Sequence, residues 1–224
     1  TAVKLFGGSL VVNGDLNITE GAKIGANAGR LTVNHGTSVI AGRLKTTAGN
    51  GNNVQPHTSG AELYVNGGTL AVTDTADISM NDLWLTNGAK STVTDKAGFR
   101  FSGPVIVQNA TLDAPTMNFV SGKNGRLRVM DGGTVNLASL TLTRPAGEWT
   151  TEADVPASAK LLSGTVNVGS LTVNEGAHLG LNTGTFTVTG GDSVALGNIN
   201  TTHVNAYENG TWTTSEKRPA VSTA

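Results

Sequence analysis

Apolar residues along this chain recur two apart and then stop at a glycine turn. The repeated unit reads apolar-x-apolar-x-x-Gly, with a further apolar residue two or three positions later. Clear copies are Leu16-Asn-Ile18-Thr-Glu-Gly21, Leu31-Thr-Val33-Asn-His-Gly36 and Leu127-Arg-Val129-Met-Asp-Gly132. Two more are Leu171-Thr-Val173-Asn-Glu-Gly176 and Phe186-Thr-Val188-Thr-Gly-Gly191. Looser copies start at Leu63, Leu83 and Val105, and Leu140-Thr-Leu142 keeps only the first half. A spacing of two places both apolar side chains on one face of a strand. Glycine, with Asn or Asp before it, supplies positive φ cheaply and turns the chain. Each copy therefore predicts two short strands joined by a turn. The helical spacing i, i+3, i+4, i+7 is absent over any useful length.

Successive copies start 15, 32, 20, 22, 22, 13, 31 and 15 residues apart. A propeller needs blades of roughly 40 to 50 residues. A sandwich has strands every 8 to 12 residues or so, without one motif reused so often. A spacing near 20 fits one coil of a parallel β-helix, in which equivalent strands stack about 4.8 Å apart. The expectation is an all-β solenoid of roughly ten coils over residues 1–207, a rod on the order of 50 Å long. Insertions are expected near 45–60 and 144–160, where the gaps are long, and inserted loops often carry function. Residues 208–224 lack the repeat and read as a C-terminal cap, linker or disordered tail. The array begins almost at once, without a polar cap, as expected for a segment of something longer. A bare first coil would leave strand edges unpaired.

Composition then removes function classes. The 224 residues include 30 Gly, 32 Thr and 21 Asn, but no Cys and only 4% aromatics. Charged residues make up 14%, against about 25% in an average globular chain. The net charge of -1 supplies no general field for nucleic acid or an anionic membrane. No apolar run approaches the roughly 20 residues of a membrane helix, and no N-terminal signal segment is visible. The lack of Cys excludes a disulfide scaffold, a thiolate zinc site and a thiol nucleophile. With 38% apolar residues and little net charge, the chain is expected to fold around Val, Leu and Ala.

Gly-Gly-Ser-Leu-Val-Val-Asn-Gly at 7–14, Leu-Tyr-Val-Asn-Gly-Gly-Thr-Leu at 63–70 and Ser-Leu-Thr-Val-Asn-Glu-Gly-Ala-His-Leu at 170–179 carry a family likeness. They resemble the β-strand repeats of autotransporter-type passengers, the surface and secreted adhesins of bacteria. The resemblance covers roughly residues 7 to 195 and implies a right-handed parallel β-helix. It also implies an extracellular or cell-surface protein exported through the bacterial outer membrane. The repeat is less regular here than in the most uniform members, and no translocating barrel lies within these residues.

Candidate catalytic groups are sparse. His35 and His178 flank turn glycines and are expected to face solvent. His57 lies in the first insertion near Ser59, but no Gly-x-Ser-x-Gly elbow accompanies it. The densest acidic cluster, Asp74, Asp77 and Asp82, is a weak candidate for an oxygen-rich calcium site. Turn chemistry is the favoured account of it, since Asp and Asn favour turns. The Asp-x-Asp-x-Asp-Gly calcium loop is missing, and no cofactor is expected.

The middle residue of each apolar-x-apolar triplet points away from the core. In order these are Asn17, Thr32, Tyr64, Trp84, Ile106, Arg128, Thr141, Thr172 and Thr187. Most are Thr or Asn, so Tyr64, Trp84, Ile106 and Arg128 stand out as a ladder on consecutive coils. Aromatic and Arg side chains are favoured at interfaces, while a loop packed over the stripe would account for the same pattern. The sequence favours a non-catalytic adhesin or structural stalk with a lateral binding face. Its partner would be a host-surface protein, a glycan or a second copy, with no nucleic acid and no membrane insertion. The alternative is a carbohydrate-binding or carbohydrate-cleaving module; carboxylates lining one groove with a basic residue among them would favour cleavage. A scaffold carrying an enzyme domain elsewhere is a third reading.

Overall fold

Period-two patterning requires a partner surface for each strand, and this chain supplies it by stacking copies of itself in parallel. A computed structural model describes residues 2–5, 7–26, 29–46, 61–120, 127–143, 159–201, 204–208, 211–215 and 220–223. Every regular element among them is a strand. Residues 47–60 and 144–158, the bulk of the two expected insertions, and His57 and His203 lie outside the described residues. The chain divides into two compact units, residues 1–115 and 116–224.

In the first unit each turn of the solenoid holds three strands, so three parallel ladders run through it. Ladder A contains β1 (Ala2–Leu5), β4 (Lys23–Ala26), β7 (Arg43–Thr46), β10 (Asp77–Met80) and β13 (Gly98–Phe101). Ladder B contains β2 (Ser9–Asn13), β5 (Arg30–Asn34), β8 (Glu62–Asn66), β11 (Asp82–Thr86) and β14 (Val105–Gln108). Ladder C contains β3 (Asn17–Ile18), β6 (Thr37–Ile40), β9 (Thr69–Val72), β12 (Lys90–Val93) and the start of β15 (Thr111–Val120). Inward columns are apolar except on ladder C, where buried Ser38 and Ser91 share a column with Leu70 and Leu112. Leu31, Leu63, Leu83 and Val105 stack on ladder B, Ile24, Leu44 and Ile78 on ladder A, and Ile40 and Val72 on ladder C, all buried. Burying a side chain of this size contributes roughly 1.5–3 kcal/mol relative to leaving it in water.

The second unit repeats the plan. β16 (Leu127–Met130), the start of β18 (Ala159–Val173), the start of β19 (His178–Val188) and β21 (Asn198–Thr201) form one parallel ladder. β17 (Gly133–Thr143) runs beside β18 in two registers, Gly133↔Gly164 to Leu137↔Val168 and Ser139↔Ser170 to Leu142↔Val173. β20 (Val194–Ala195) adds to β18. β22 (Val204–Glu208) and β23 (Thr211–Ser215) pair antiparallel, and β24 (Ala220–Thr223) pairs in parallel with β19.

The all-β parallel solenoid is therefore as expected, but with fewer turns. The first unit has five ladder-B rungs and the second four on its β16 ladder, giving about seven complete turns within the units. The expectation of ten applied a coil length near 20 residues along the whole array. Leu16 instead precedes β3, and Leu140, Leu171 and Phe186 lie in the later parts of β17, β18 and β19, all within turns already under way. Leu10-Val-Val12, not Leu16-Asn-Ile18, is the rung beneath Leu31-Thr-Val33.

The corner between ladders B and C explains the Asn-Gly, His-Gly and Gly-Gly pairs. His35 (φ 58) and Gly36 (φ 75), Gly67 (φ 74) and Gly68 (φ 72), and Asn87 (φ 54) and Gly88 (φ 79) are all left-handed. A Cβ on Gly68 would overlap the carbonyl oxygen of Gly36 on the rung below, so this corner needs glycine for space as well as for φ. Beside it runs an amide column: Asn34 donates Nδ2–H to Asn13 Oδ1 at 2.8 Å, Asn66 donates to Asn34 at 2.9 Å, and Asn87 donates to Asn66.

Candidate functional site

The outward side of ladder B in the first unit carries the expected aromatic stripe together with a charged line. The in-register neighbours Thr32, Tyr64, Trp84 and Ile106 form one column. Val11 precedes them and is exposed. Two residues earlier on the same strands, Arg30, Glu62 and Asp82 form a second column. Because the strand period is two, both columns project from the same side.

The aromatic rings lie along the column. Tyr64 and Trp84 are stacked, with centroids 6.2 Å apart and planes 27° apart. The Arg30 guanidinium carbon lies 5.3 Å from the Tyr64 ring centroid, within cation–π range. Arg30 Nε also donates to Glu62 Oε2 at 2.7 Å. On the next rung, Thr86 Oγ1 donates to the Tyr64 hydroxyl oxygen at 3.3 Å. Tyr64 is thus fixed between Arg30 and Trp84, with its ring faces engaged within the column. Both aromatics are half-buried, and Trp84 Nε1 is buried with no hydrogen-bond acceptor among the described residues.

The far end of the column is closed. Ile106 keeps the expected outward parity, but it is only 4% exposed. Val105 and Val107 beside it are buried too, so β14 is covered on both sides. Arg128 lies on β16 in the second unit, in register with Lys160, and its Nε is buried without an acceptor among the described residues.

Asp82 is the electrostatically unusual group of the charged line. Burial pushes its carboxyl from 3.8 up to about 6, and the neighbouring Glu62 charge adds to the rise. Both effects disfavour the charged form. Arg30 holds Glu62 rather than Asp82. Gly103 makes room on the other side, since a Cβ there would overlap Asp82 Oδ1.

The three carboxylates of the candidate calcium cluster are not brought together. Asp74 is exposed in the turn before ladder A. Asp77 stands on ladder A, paired with Lys45 and, at 3.0 Å, with Arg100. Asp82 stands on ladder B. Among the described residues no group of three or more His, Asp or Glu side chains is placed to hold a metal ion. His35 is exposed at its corner, while His178 is half-buried with Nε2 3.2 Å from Asn198 Nδ2. Arg30 and Glu62 belong to the site and escape a search for triplet middles. Their signal is the residue before the Leu of each copy: Arg30-Leu, Glu62-Leu and Asp82-Leu.

No protein family matches the chain, and no curated protein or solved structure is similar to it.

Proposed function

We propose that this chain is a non-catalytic adhesive and structural segment of a bacterial surface or secreted protein of the autotransporter-passenger type. It presents the outward side of ladder B in its first unit to a partner protein. The observation that carries the reading is the position of Tyr64, held between Arg30 and Trp84 on successive rungs. Stacking on a sugar ring needs a free aromatic face, and the Tyr64 ring already has Arg30 and Trp84 as its neighbours along the column. What remains open is a set of rigid ring edges beside charged groups, which suits a protein surface. Aromatic anchors already fixed before contact lose little conformational entropy on binding. The parallel rungs support this role because their backbone groups are saturated by neighbouring turns and the frame holds the column in place.

The test replaces Tyr64 and Trp84 by Ser, singly and together, and compares capture of host-cell surface proteins and cell–cell aggregation. The reading expects a loss of at least tenfold in one of them, with the far-ultraviolet circular dichroism preserved. Unchanged behaviour in both assays sinks it.

A second reading, a carbohydrate-binding or carbohydrate-cleaving module, is supported by one observation. Glu62, paired to Arg30, and Asp82, with its raised pKa, are neighbours on adjacent rungs. Two neighbouring carboxylates, one paired with a cation and the other partly buried, are the arrangement used for acid–base chemistry on glycosidic bonds. Release of reducing ends from plant and bacterial polysaccharides, abolished in Glu62→Gln and Asp82→Asn, would establish it in place of the first.

A further inference from the structure

We infer that the outward side of ladder A in the first unit binds a linear acidic polysaccharide through Lys23, Arg43 and Lys45. This face is separate from the aromatic column and does not depend on the role proposed for it.

Stacking concentrates on this sheet charges that are scattered in the sequence. The outward positions of β1, β4, β7, β10 and β13 carry Lys4, Lys23, Arg43, Lys45 and Arg100. They carry one carboxylate, Asp77. The whole chain has 15 Lys and Arg against 16 Asp and Glu, so a five-to-one excess on one sheet is a local departure from a nearly neutral molecule. Lys4, Lys23, Arg43 and Arg100 are exposed.

Two of these cations are placed against each other. Lys23 and Arg43 are in-register partners on neighbouring parallel strands, and neither has an ion-pair partner among the described residues. Like charges directly opposite on adjacent strands destabilise a sheet. A bound anion removes that repulsion and gains the attraction, so the arrangement is balanced when occupied. Lys45, two residues after Arg43 on β7 and on the same side of the sheet, is paired with Asp77. Asp77 lies in register with Arg43 on the next rung, so the adjacent pair Lys23 and Arg43 is followed by a carboxylate.

The chemistry of the face selects among polyanions. No outward position on it carries an aromatic side chain, so it has no platform for stacking nucleic-acid bases. It also has no large aliphatic side chain with which to enter a bilayer. What it offers is Lys23 and Arg43 at the strand spacing of about 4.8 Å, with Lys4, Lys45 and Arg100 on alternate rungs of the neighbouring column. A chain of sulfated or uronic-acid sugars, lying along the solenoid axis, presents carboxylate or sulfate groups to such a row. The turns leading into the sheet carry Glu20, Asp74 and Asp95, all exposed. They form an acidic border that keeps a polyanion on the cationic side.

Binding of the intact chain to heparin and to alginate, measured by calorimetry at about 50 mM salt, tests the inference, with duplex DNA and phosphatidylserine vesicles as competing probes. The double variant Lys23→Ser/Arg43→Ser is expected to lose at least tenfold in polysaccharide affinity. The slope of log affinity against log salt is expected to fall by about one for each cation removed. Asp77→Asn, which deletes the one carboxylate of the sheet, is expected to bind more tightly than the parent. Lys90→Ser, the loss of one cation on ladder C, and Tyr64→Ser are expected to bind like the parent, which keeps this face distinct from the aromatic one. Because the Lys23/Arg43 pair is repulsive, the double variant is expected to melt no lower than the parent, so lost binding is not lost folding. The inference is overturned if the double variant binds as tightly as the parent, if Lys90→Ser weakens binding equally, or if the parent prefers DNA or vesicles to both polysaccharides.

Discussion

Tyr64 and Trp84 occupy the same strand position on adjacent rungs, with ring centroids 6.2 Å apart and planes only 27° from parallel. The relationship follows from parallel, in-register pairing, which places Trp84 directly over Tyr64. Stacked aromatic pairs contribute about 0.5–1.5 kcal/mol beyond the area they bury. A double-mutant cycle on Tyr64→Ala and Trp84→Ala, read by urea unfolding, is therefore expected to show a favourable coupling in that range. Additive losses would show that the rings share a column without supporting each other.

Asp82 gives the fold a pH dependence with a definite sign. Its carboxyl is raised from 3.8 to about 6 in the folded chain. Between about pH 4 and pH 6 the folded state therefore binds more protons than the unfolded state at this site. Stability then falls as pH rises through that window, and the penalty is complete above it. Asp82→Asn removes the titration. The variant is expected to match the parent near pH 4 and to melt above it at pH 7 to 8. Parallel melting curves across the whole range would contradict this assignment.

The corner glycines separate conformational strain from close approach. Gly68 and Gly88 have nearly the same backbone, φ 72 and φ 79. A Cβ on Gly88 meets nothing within 4 Å, whereas one on Gly68 collides with the Gly36 backbone. Gly88→Ala is expected to destabilise by about 1–2 kcal/mol, the penalty of a left-handed alanine. Gly68→Ala is expected to exceed that and reach the range above about 4 kcal/mol reserved for disrupted single sites. Chemical unfolding of the two variants side by side measures the difference, and equal losses would mean that the rungs can spread to admit a methyl group.

Much of this architecture can be read from local pattern. Leu31-Thr-Val33, Leu63-Tyr-Val65 and Leu83-Trp-Leu85 have alternating polarity that fixes which side of each strand is buried, and the structure keeps it. The turn pairs His35-Gly36 and Asn87-Gly88 are equally local, because left-handed φ is a property of one or two residues. The number of turns is less accessible. Leu16-Asn-Ile18 and Leu31-Thr-Val33 look alike in sequence, yet they belong to ladders C and B. All three strands of a turn obey the same alternation, so the motif carries no mark of which ladder it joins.

The site shows the same division. The outward parity of Tyr64, Trp84 and Ile106 follows from their place in the triplet, but the 4% exposure of Ile106 depends on what covers β14. Asp77 and Asp82 are five residues apart and look like one cluster, yet the turn between β10 and β11 sends them to different sheets.

The sequence by itself determined a strand-and-turn solenoid with an aliphatic interior, because side-chain alternation and turn propensity act over two to six residues. Tertiary structure decided which of those strands stack. That is a matter of register between segments about twenty or thirty residues apart, set by the joint burial of whole columns. Only that register brings Lys23 against Arg43 and threads Arg30, Glu62 and Asp82 into one line.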